Sequence, residues 1–323
     1  MAMIEQNISG VKLERMRQKV NRRVKIGKAL RWGIFAAGEA ATLGSALYGA
    51  GEVTAEWLLG VAAWAVGGTV LSFLVSFLFW LIYMGLFWAG PSNIFTQNYK
   101  NKYVLTKLRE VPGFSGLKYT PDRGLPRGEI CRDCLPPTQK LPHLRSEDYW
   151  EGSYEQVRFR SAYLEAWPDQ SSLKMFDGQM MIFSLFDDYK ISESPVQVFA
   201  KYGWGQEKSK TESLTFSNRI ETENVAFNEK FSVYAADGHN AFYILTPRVL
   251  EDILAFGELV KSGLYIVFSG QKMYVGCEQA DNPFEALADK TLDQQAKTIT
   301  LAAEIIQKAR DILIHLEQDR AKL

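Results

Sequence analysis

The run from Trp57 to Ala89 contains no charged side chain, and it limits what this chain can fold into more than any other feature. A membrane-spanning helix needs about 20 predominantly apolar residues, and this run exceeds that length. The surplus accommodates tilt or an extension into the interface. Trp57 at one end, with Tyr83 and Trp88 near the other, fits the aromatic belts that form at headgroup level. A buried helix of a soluble core is the alternative, but such helices are shorter and seldom free of charge.

A second apolar stretch precedes it, from Leu30 to Gly51, interrupted by Glu39. Gly33, Ala37, Ala41, Ser45 and Gly49 recur at every fourth position and form a smooth stripe along one helix face. Such stripes let membrane helices approach closely. The simplest partner is the later span, through Gly60, Trp64 and Gly68 or their neighbours, which predicts a transmembrane helical hairpin. The stripe also permits association between copies of the chain. A carboxylate within a span is costly and faces protein or water. Glu39 therefore reads as part of a proton or ion relay, or as a protonated or hydrogen-bonded acid near the headgroups, or else the span begins later than Leu30. The lack of a second intramembrane charge favours the last two readings over the relay.

Flanking charge sets the direction. Lys12, Arg15, Arg17, Lys19, Arg22, Arg23, Lys25, Lys28 and Arg31 precede the first span, opposed within that stretch only by Glu14. The connector Glu52-Val53-Thr54-Ala55-Glu56 has no basic residue, and Lys100, Lys102, Lys107 and Arg109 follow the second span. The positive-inside rule puts the basic flanks, and with them both termini, in the cytoplasm. The chain then reads as a multi-pass protein of the plasma membrane. The basic arm reads as a helix, with Val11, Met16, Val20, Val24 and Leu30 near helical spacing. Lys19, Arg22, Arg23 and Lys25 could contact anionic lipid at about 1 kcal/mol per residue, or could serve only to fix topology.

Overall charge is balanced, with 37 Lys+Arg against 37 Asp+Glu, whereas a nucleic-acid binder carries a basic excess. Three cysteines, sparsely placed, make no disulfide framework and suit a reducing compartment.

Beyond the spans the chain reads as α+β. A stalk helix is expected over Ser92–Glu110, then an irregular Gly/Pro-rich connection from Pro112 to Pro142. Strand-like runs follow at Val157–Arg160, Met175–Leu185 and Val196–Tyr202, with a polar loop over Gly205–Asn224. Phe231–Ala235 and Ala241–Leu245 flank Asp237-Gly238, a hairpin pattern. Thr246-Pro247 predicts a helix start and a helix to Val260. Leu264–Phe268 and Lys272–Cys277 form a second hairpin around Ser269-Gly270-Gln271. The last element, Leu292–Glu317, is an amphipathic helix with a seam of Ile299, Ala302, Ile306, Ala309, Leu313 and Leu316. Leu301, Ile305 and Ile312 widen that face, which favours packing on the sheet over a coiled coil. The organisation is thus a basic arm (1–29), a two-helix membrane hairpin (30–91), a stalk and connection (92–145) and a cytosolic α+β domain of antiparallel strands (146–323).

The block Glu229-Lys230-Phe231-Ser232-Val233-Tyr234, then Tyr243-Ile244-Leu245-Thr246-Pro247, Phe268 and Tyr274-Val275, resembles an uncharacterised bacterial membrane-protein family. Its members carry two N-terminal spans and a cytosolic α+β domain. Glu147-Asp148-Tyr149-Trp150-Glu151-Gly152, Phe176-Asp177-Gly178 and Pro283-Phe284-Glu285 resemble further blocks of it. Gly238-His239-Asn240 departs from the more acidic stretch usual there. The resemblance implies a domain of unknown function, and a LemA-like membrane protein as partner, since such proteins are frequently encoded beside the family. It implies no chemistry.

No constellation identifies a reaction. Cys131-Arg132-Asp133-Cys134, with His143 nearby, is the most suggestive motif. A structural zinc site needs four ligands, and the pair lies in a Pro-rich loop without the βαβ context of a redox centre. Phosphate-loop, dinucleotide, nucleophile-elbow and zinc-protease motifs do not occur. Asp187-Asp188 and Glu147-Asp148 could bind a cation or act as an acid/base pair. Adjacent strand residues point to opposite faces, however, so both pairs read as solvated turn residues. No cofactor is expected. The expected function is that of a membrane-anchored adaptor or scaffold that presents its α+β domain to a protein partner. A membrane-surface enzyme and a domain sensing anionic lipid or peptide are the alternatives.

Overall fold

A computed structural model describes residues 2–48, 54–130, 143–167, 174, 176–184, 195–201, 218–260, 263–279 and 281–320. The chain divides into two compact units, Met1–Tyr99 with Ala286–Leu292, and Lys100–Glu285 with Asp293–Leu323.

In the first unit, α1 (Ala2–Tyr48) is one unbroken helix of 47 residues, about 70 Å long. α2 (Ala55–Tyr83) opens on Thr54, whose hydroxyl accepts the Trp57 N–H at 3.1 Å. This satisfies one of the donors left free at a helix start. A π-helical segment, Met84–Trp88, leads directly into α3 (Ala89–Asn98). A second, Tyr99–Val104, leads into α4 (Leu105–Glu110). The stalk expected over 92–110 is therefore the end of a single helical path. The stretch Trp57–Glu110 is long and apolar enough to cross a membrane by length and composition.

The first π-helical segment has a local cause. Pro91 brings no N–H to the carbonyl four residues before it, that of Phe87. That carbonyl accepts instead from Arg23 Nη1 of α1. Inserted side chains and π-bulges are recognised ways for a helix to absorb such a gap.

The second unit is built on a nine-stranded sheet in the order β1-β2-β3-β4-β9-β8-β5-β7-β6, with every pairing antiparallel. Its strands are β1 (Phe114–Thr120), β2 (His143–Tyr154), β3 (Val157–Trp167), β4 (Phe176–Ser184), β5 (Val196–Ala200), β6 (Arg219–Ile220), β7 (Phe231–Ala235), β8 (Leu264–Ser269) and β9 (Lys272–Glu278). Both faces of its central strands are buried. Leu164, Met180, Ile182, Phe199, Tyr265 and Val267 belong to one cluster. The alternate positions Met181, Phe183, Val198, Ile266, Phe268 and Val275 are also buried. A sheet covered on both sides reads as dense apolar runs, which is why the sequence shows little alternation here.

The turn of the second expected hairpin is as anticipated, with Gly270 at φ +57°, a conformation that only glycine adopts cheaply. Three expectations need correction. The stretch after Pro112 is not wholly irregular, because it contains β1, of which Leu117 is the buried residue. Ala241–Leu245 is not a strand. The Asp237 side chain accepts the His239 N–H at 2.9 Å, and the chain turns into α6 (Gly238–Ile244). Within 205–224, residues 219–220 form β6, while 202–217 lie outside the described residues. A further short helix, α5 (Val225–Lys230), is capped by Asn224.

α7 (Pro247–Val260) starts where Thr246-Pro247 predicts, with Thr246 Oγ1 accepting the Val249 N–H at 3.4 Å. In α8 (Leu292–Arg320) the whole seam from Ile299 to Leu316 is buried, with Ile305 and Ile312, whereas Leu301 is exposed. Polar ties fix the C-terminal end of α8. His315 Nδ1 meets Asp252 of α7, and Thr246 donates to Asp319 at 2.7 Å. Arg310 reaches Glu155 in the β2–β3 turn at 2.7 Å.

Candidate functional site

Among the described residues, the buried acid of the second unit is Asp148, whose side chain is 0% exposed. β2 carries a bulge between Glu147 and Trp150, and Asp148 occupies it at φ +56°. Its N–H donates outside the ladder, to Pro121 O at 2.9 Å. The extra residue breaks the strict alternation of a strand, so Glu147 and Asp148 address the same side chain, that of Asn282. Asn282 Nδ2 donates to Asp148 Oδ2 at 2.6 Å and to Glu147 Oε1 at 3.4 Å. Its own oxygen is engaged by the Phe284 N–H at 3.0 Å. The reading of Glu147-Asp148 as solvated turn residues is thus corrected for Asp148, which is fully buried.

Two further donors complete the cluster. Lys100, in the last π-helical segment, places Nζ 2.8 Å from Asp148 Oδ2, and Tyr119 of β1 donates to Oδ1 at 2.5 Å. Glu285 Oε2 lies 3.9 Å from the same ammonium. Phe284 closes the site, with its ring 5.6 Å from Tyr119 and 6.0 Å from Trp150. Burial pushes the Asp148 carboxyl above its ordinary range, opposed by Lys100, Tyr119 and Asn282. A carboxylate with three donors and no exposed surface has no route to a substrate proton. It can bind four chain segments together: the helix end, β1, β2 and the segment leading to α8. Other acids of the unit are also engaged. Asp177 holds Tyr163 and Lys174, and Glu278 holds Tyr265.

The second arrangement lies within the first unit, where α1 and α2 run antiparallel. A Cβ on Gly38 would sit 2.3 Å from Ser72 Oγ, and one on Gly68 would sit 2.2 Å from Thr42 Cγ2. These glycines therefore allow the close approach. Trp64 Nε1 donates to Ser45 Oγ at 2.9 Å. Thr69 Oγ1 donates to Glu39 Oε2 at 3.0 Å, and Glu39 Oε1 is buried with no partner among the described residues. An open apolar groove of about 840 Å³ follows the pair, lined by residues including Ile34, Ala41, Gly60, Trp64, Leu71 and Val75. The contacts with α2 run through residues including Gly38, Glu39, Thr42 and Ser45. Gly33, Ala37 and Ala41 are exposed, and an added Cβ at Gly33 would meet nothing within 4 Å. Gly49 lies outside the described residues.

The basic residues of α1 are sorted by the fold. Arg17 is buried, bonded to Glu14 and to Ala288 O. Arg23 serves Phe87. The Arg31 guanidinium lies 5.3, 5.4 and 5.6 Å from the ring centres of Phe73, Phe77 and Trp80. Lys19, Arg22 and Lys25 are exposed.

Cys131, Cys134 and Asp187-Asp188 lie outside the described residues, and His143 is exposed at the start of β2. Among the described residues no group of three or more His, Cys, Asp or Glu could hold a metal ion. Cys277 is a buried thiol that burial pushes well up from its ordinary value.

A protein-family model described as "Protein of unknown function (DUF3137)" matches residues 171–312. That span runs from just before β4 into α8. It includes Asn282 and leaves Lys100, Tyr119 and Asp148 outside. No curated protein and no solved structure matches the chain at a significant level.

Proposed function

We propose that the protein is a membrane-anchored adaptor. The apolar parts of α1 and α2 cross the bilayer as a helical hairpin, both basic flanks are cytoplasmic, and the α+β domain is offered to a protein partner. The observation that carries this reading is the helical path itself. It runs from the charge-free stretch at Trp57 through α3 to Lys100, without an intervening loop, and Lys100 is bound by the buried Asp148 of the sheet. An anchor continuous with a domain-locking residue suits presentation and position better than catalysis.

The antiparallel contacts of α1 with α2 support two crossings. So does the hydrogen bond that accommodates Glu39, because an acid in a span needs protein or water beside it. A LemA-like membrane protein is the partner that the family resemblance implies. Crosslinking in native membranes followed by affinity purification of the full chain tests this. The adaptor reading expects a LemA-like protein to be recovered in constant ratio to the bait, and recovery of no protein partner contradicts it.

A further inference from the structure

We infer that the exposed cationic face of α1, formed by Lys12, Arg15, Lys19 and Arg22, docks an acidic helix of a partner protein rather than lipid headgroups. This rests on the membrane-anchor reading above. At about 100° per residue the four side chains fall within an arc of about 80°. Leu13, Arg17 and Val20, on roughly the opposite side, are buried. All four cations are exposed, and none makes an ion pair or hydrogen bond among the described residues. The one acid between residues 10 and 38, Glu14, is held by Arg17 and Gln18. The face is therefore positive without internal compensation.

Reach decides between lipid and protein. Arg31 sits among Phe73, Phe77 and Trp80, and the helix from Trp57 to Trp80 is about 35 Å long, close to the hydrocarbon thickness of about 30 Å. Arg31 thus marks the cytoplasmic interface. Lys28 and Lys25 lie about 5 and 9 Å beyond it along α1, within or at the edge of the headgroup layer. Arg22, Lys19, Arg15 and Lys12 lie about 14, 18, 24 and 28 Å beyond it. A surface potential fades over a Debye length of about 8 Å, so lipid attraction is lost progressively along the four.

Nor can the helix fold back onto the bilayer. Its apolar face is already used, with Leu13 and Val20 5% and 1% exposed, and Arg17 Nη1 donates to Ala288 O at 2.7 Å. What remains is a rigid row of cations at alternating three- and four-residue spacing, ending at the half-exposed Ile26. An acidic helix laid alongside, with carboxylates at the same spacing, is its complement.

Photocrosslinking in native membranes tests the inference, with p-benzoylphenylalanine replacing Arg15, or Leu74 as a control, in the full chain. At Arg15 the expected adduct is a protein whose crosslinked segment is rich in Asp and Glu. Its yield should fall about tenfold with Lys12→Glu, Lys19→Glu and Arg22→Glu combined, and should also fall with added salt in the otherwise unchanged chain, which guards against a poorly folding variant. A lipid adduct at Arg15, a crosslinked segment without acidic character, no adduct, or a yield indifferent to salt would overturn it. Lipid adducts at Leu74 support the anchor, and their absence there counts against the anchor alone.

Discussion

Lys100 Nζ lies 2.8 Å from Asp148 Oδ2, and the two side chains are 13% and 0% exposed. Removing one member of a buried pair strands the other, at a cost of about 3–5 kcal/mol, whereas removing both costs much less. Lys100→Met and Asp148→Ala should each destabilise the α+β unit by about 3 kcal/mol. The double variant should lose less than the sum, with a coupling of about 1–3 kcal/mol. Denaturant unfolding of the α+β unit reads this, and additive losses would contradict the tie.

Asp148 also gives a pH signature. Its folded carboxyl titrates above the ordinary value of 3.8, because burial outweighs its three donors. A raised folded value means that the group's contribution to stability is fully present below the unfolded value and is lost as pH rises through the folded one. Asparagine does not titrate. The stability of the native protein relative to Asp148→Asn should therefore decline as pH rises from about 3.8. Thermal melts across that window measure it, and a difference that is flat or that grows with pH contradicts the assignment.

Arg23 and Pro91 are coupled through the Phe87 carbonyl. Arg23→Met should cost about 1 kcal/mol of stability in the native background. It should cost less in Pro91→Ala, where the restored N–H reaches the same carbonyl. Equal costs in both backgrounds, by thermal unfolding in nanodiscs, would show that the contact does not compensate for the proline.

The α1–α2 contact depends on Gly38 and not on Gly33. Gly38→Leu drives a side chain into Ser72, while at Gly33 the space is open. In a chain without native cysteines, disulfide yield between Glu39→Cys and Thr69→Cys should drop with Gly38→Leu and stay unchanged with Gly33→Leu. A drop with Gly33→Leu would move the packing face.

Local signals were legible in the sequence. Thr246-Pro247 starts α7, and Ser269-Gly270-Gln271 turns β8 into β9, because a cap and a positive-φ glycine act within a few residues. The seam of α8 was legible because its 3.6-residue period is independent of what covers it. Asp237-Gly238 misled because an aspartate serves equally as turn residue and as N-cap, and the choice between them was tertiary. β1 was hidden because an edge strand with one buried residue takes its order from β2. Asp148 was hidden for a related reason. Strand alternation separates adjacent acids, and only the bulge, set by pairing with β1 and β3, brings Glu147 and Asp148 to one asparagine. Arg23 and Arg31 look like their basic neighbours until the π-helical segment and α2 lie alongside.

The most direct test of the anchor is sidedness. In intact cells bearing a chain without native cysteines, Ala55→Cys, exposed at the start of α2, should react with a membrane-impermeant maleimide. Lys272→Cys, at the β8–β9 turn, should react only after the cells are opened. Labelling of Lys272→Cys in intact cells, or protection of Ala55→Cys until lysis, would contradict a membrane hairpin with a cytoplasmic domain.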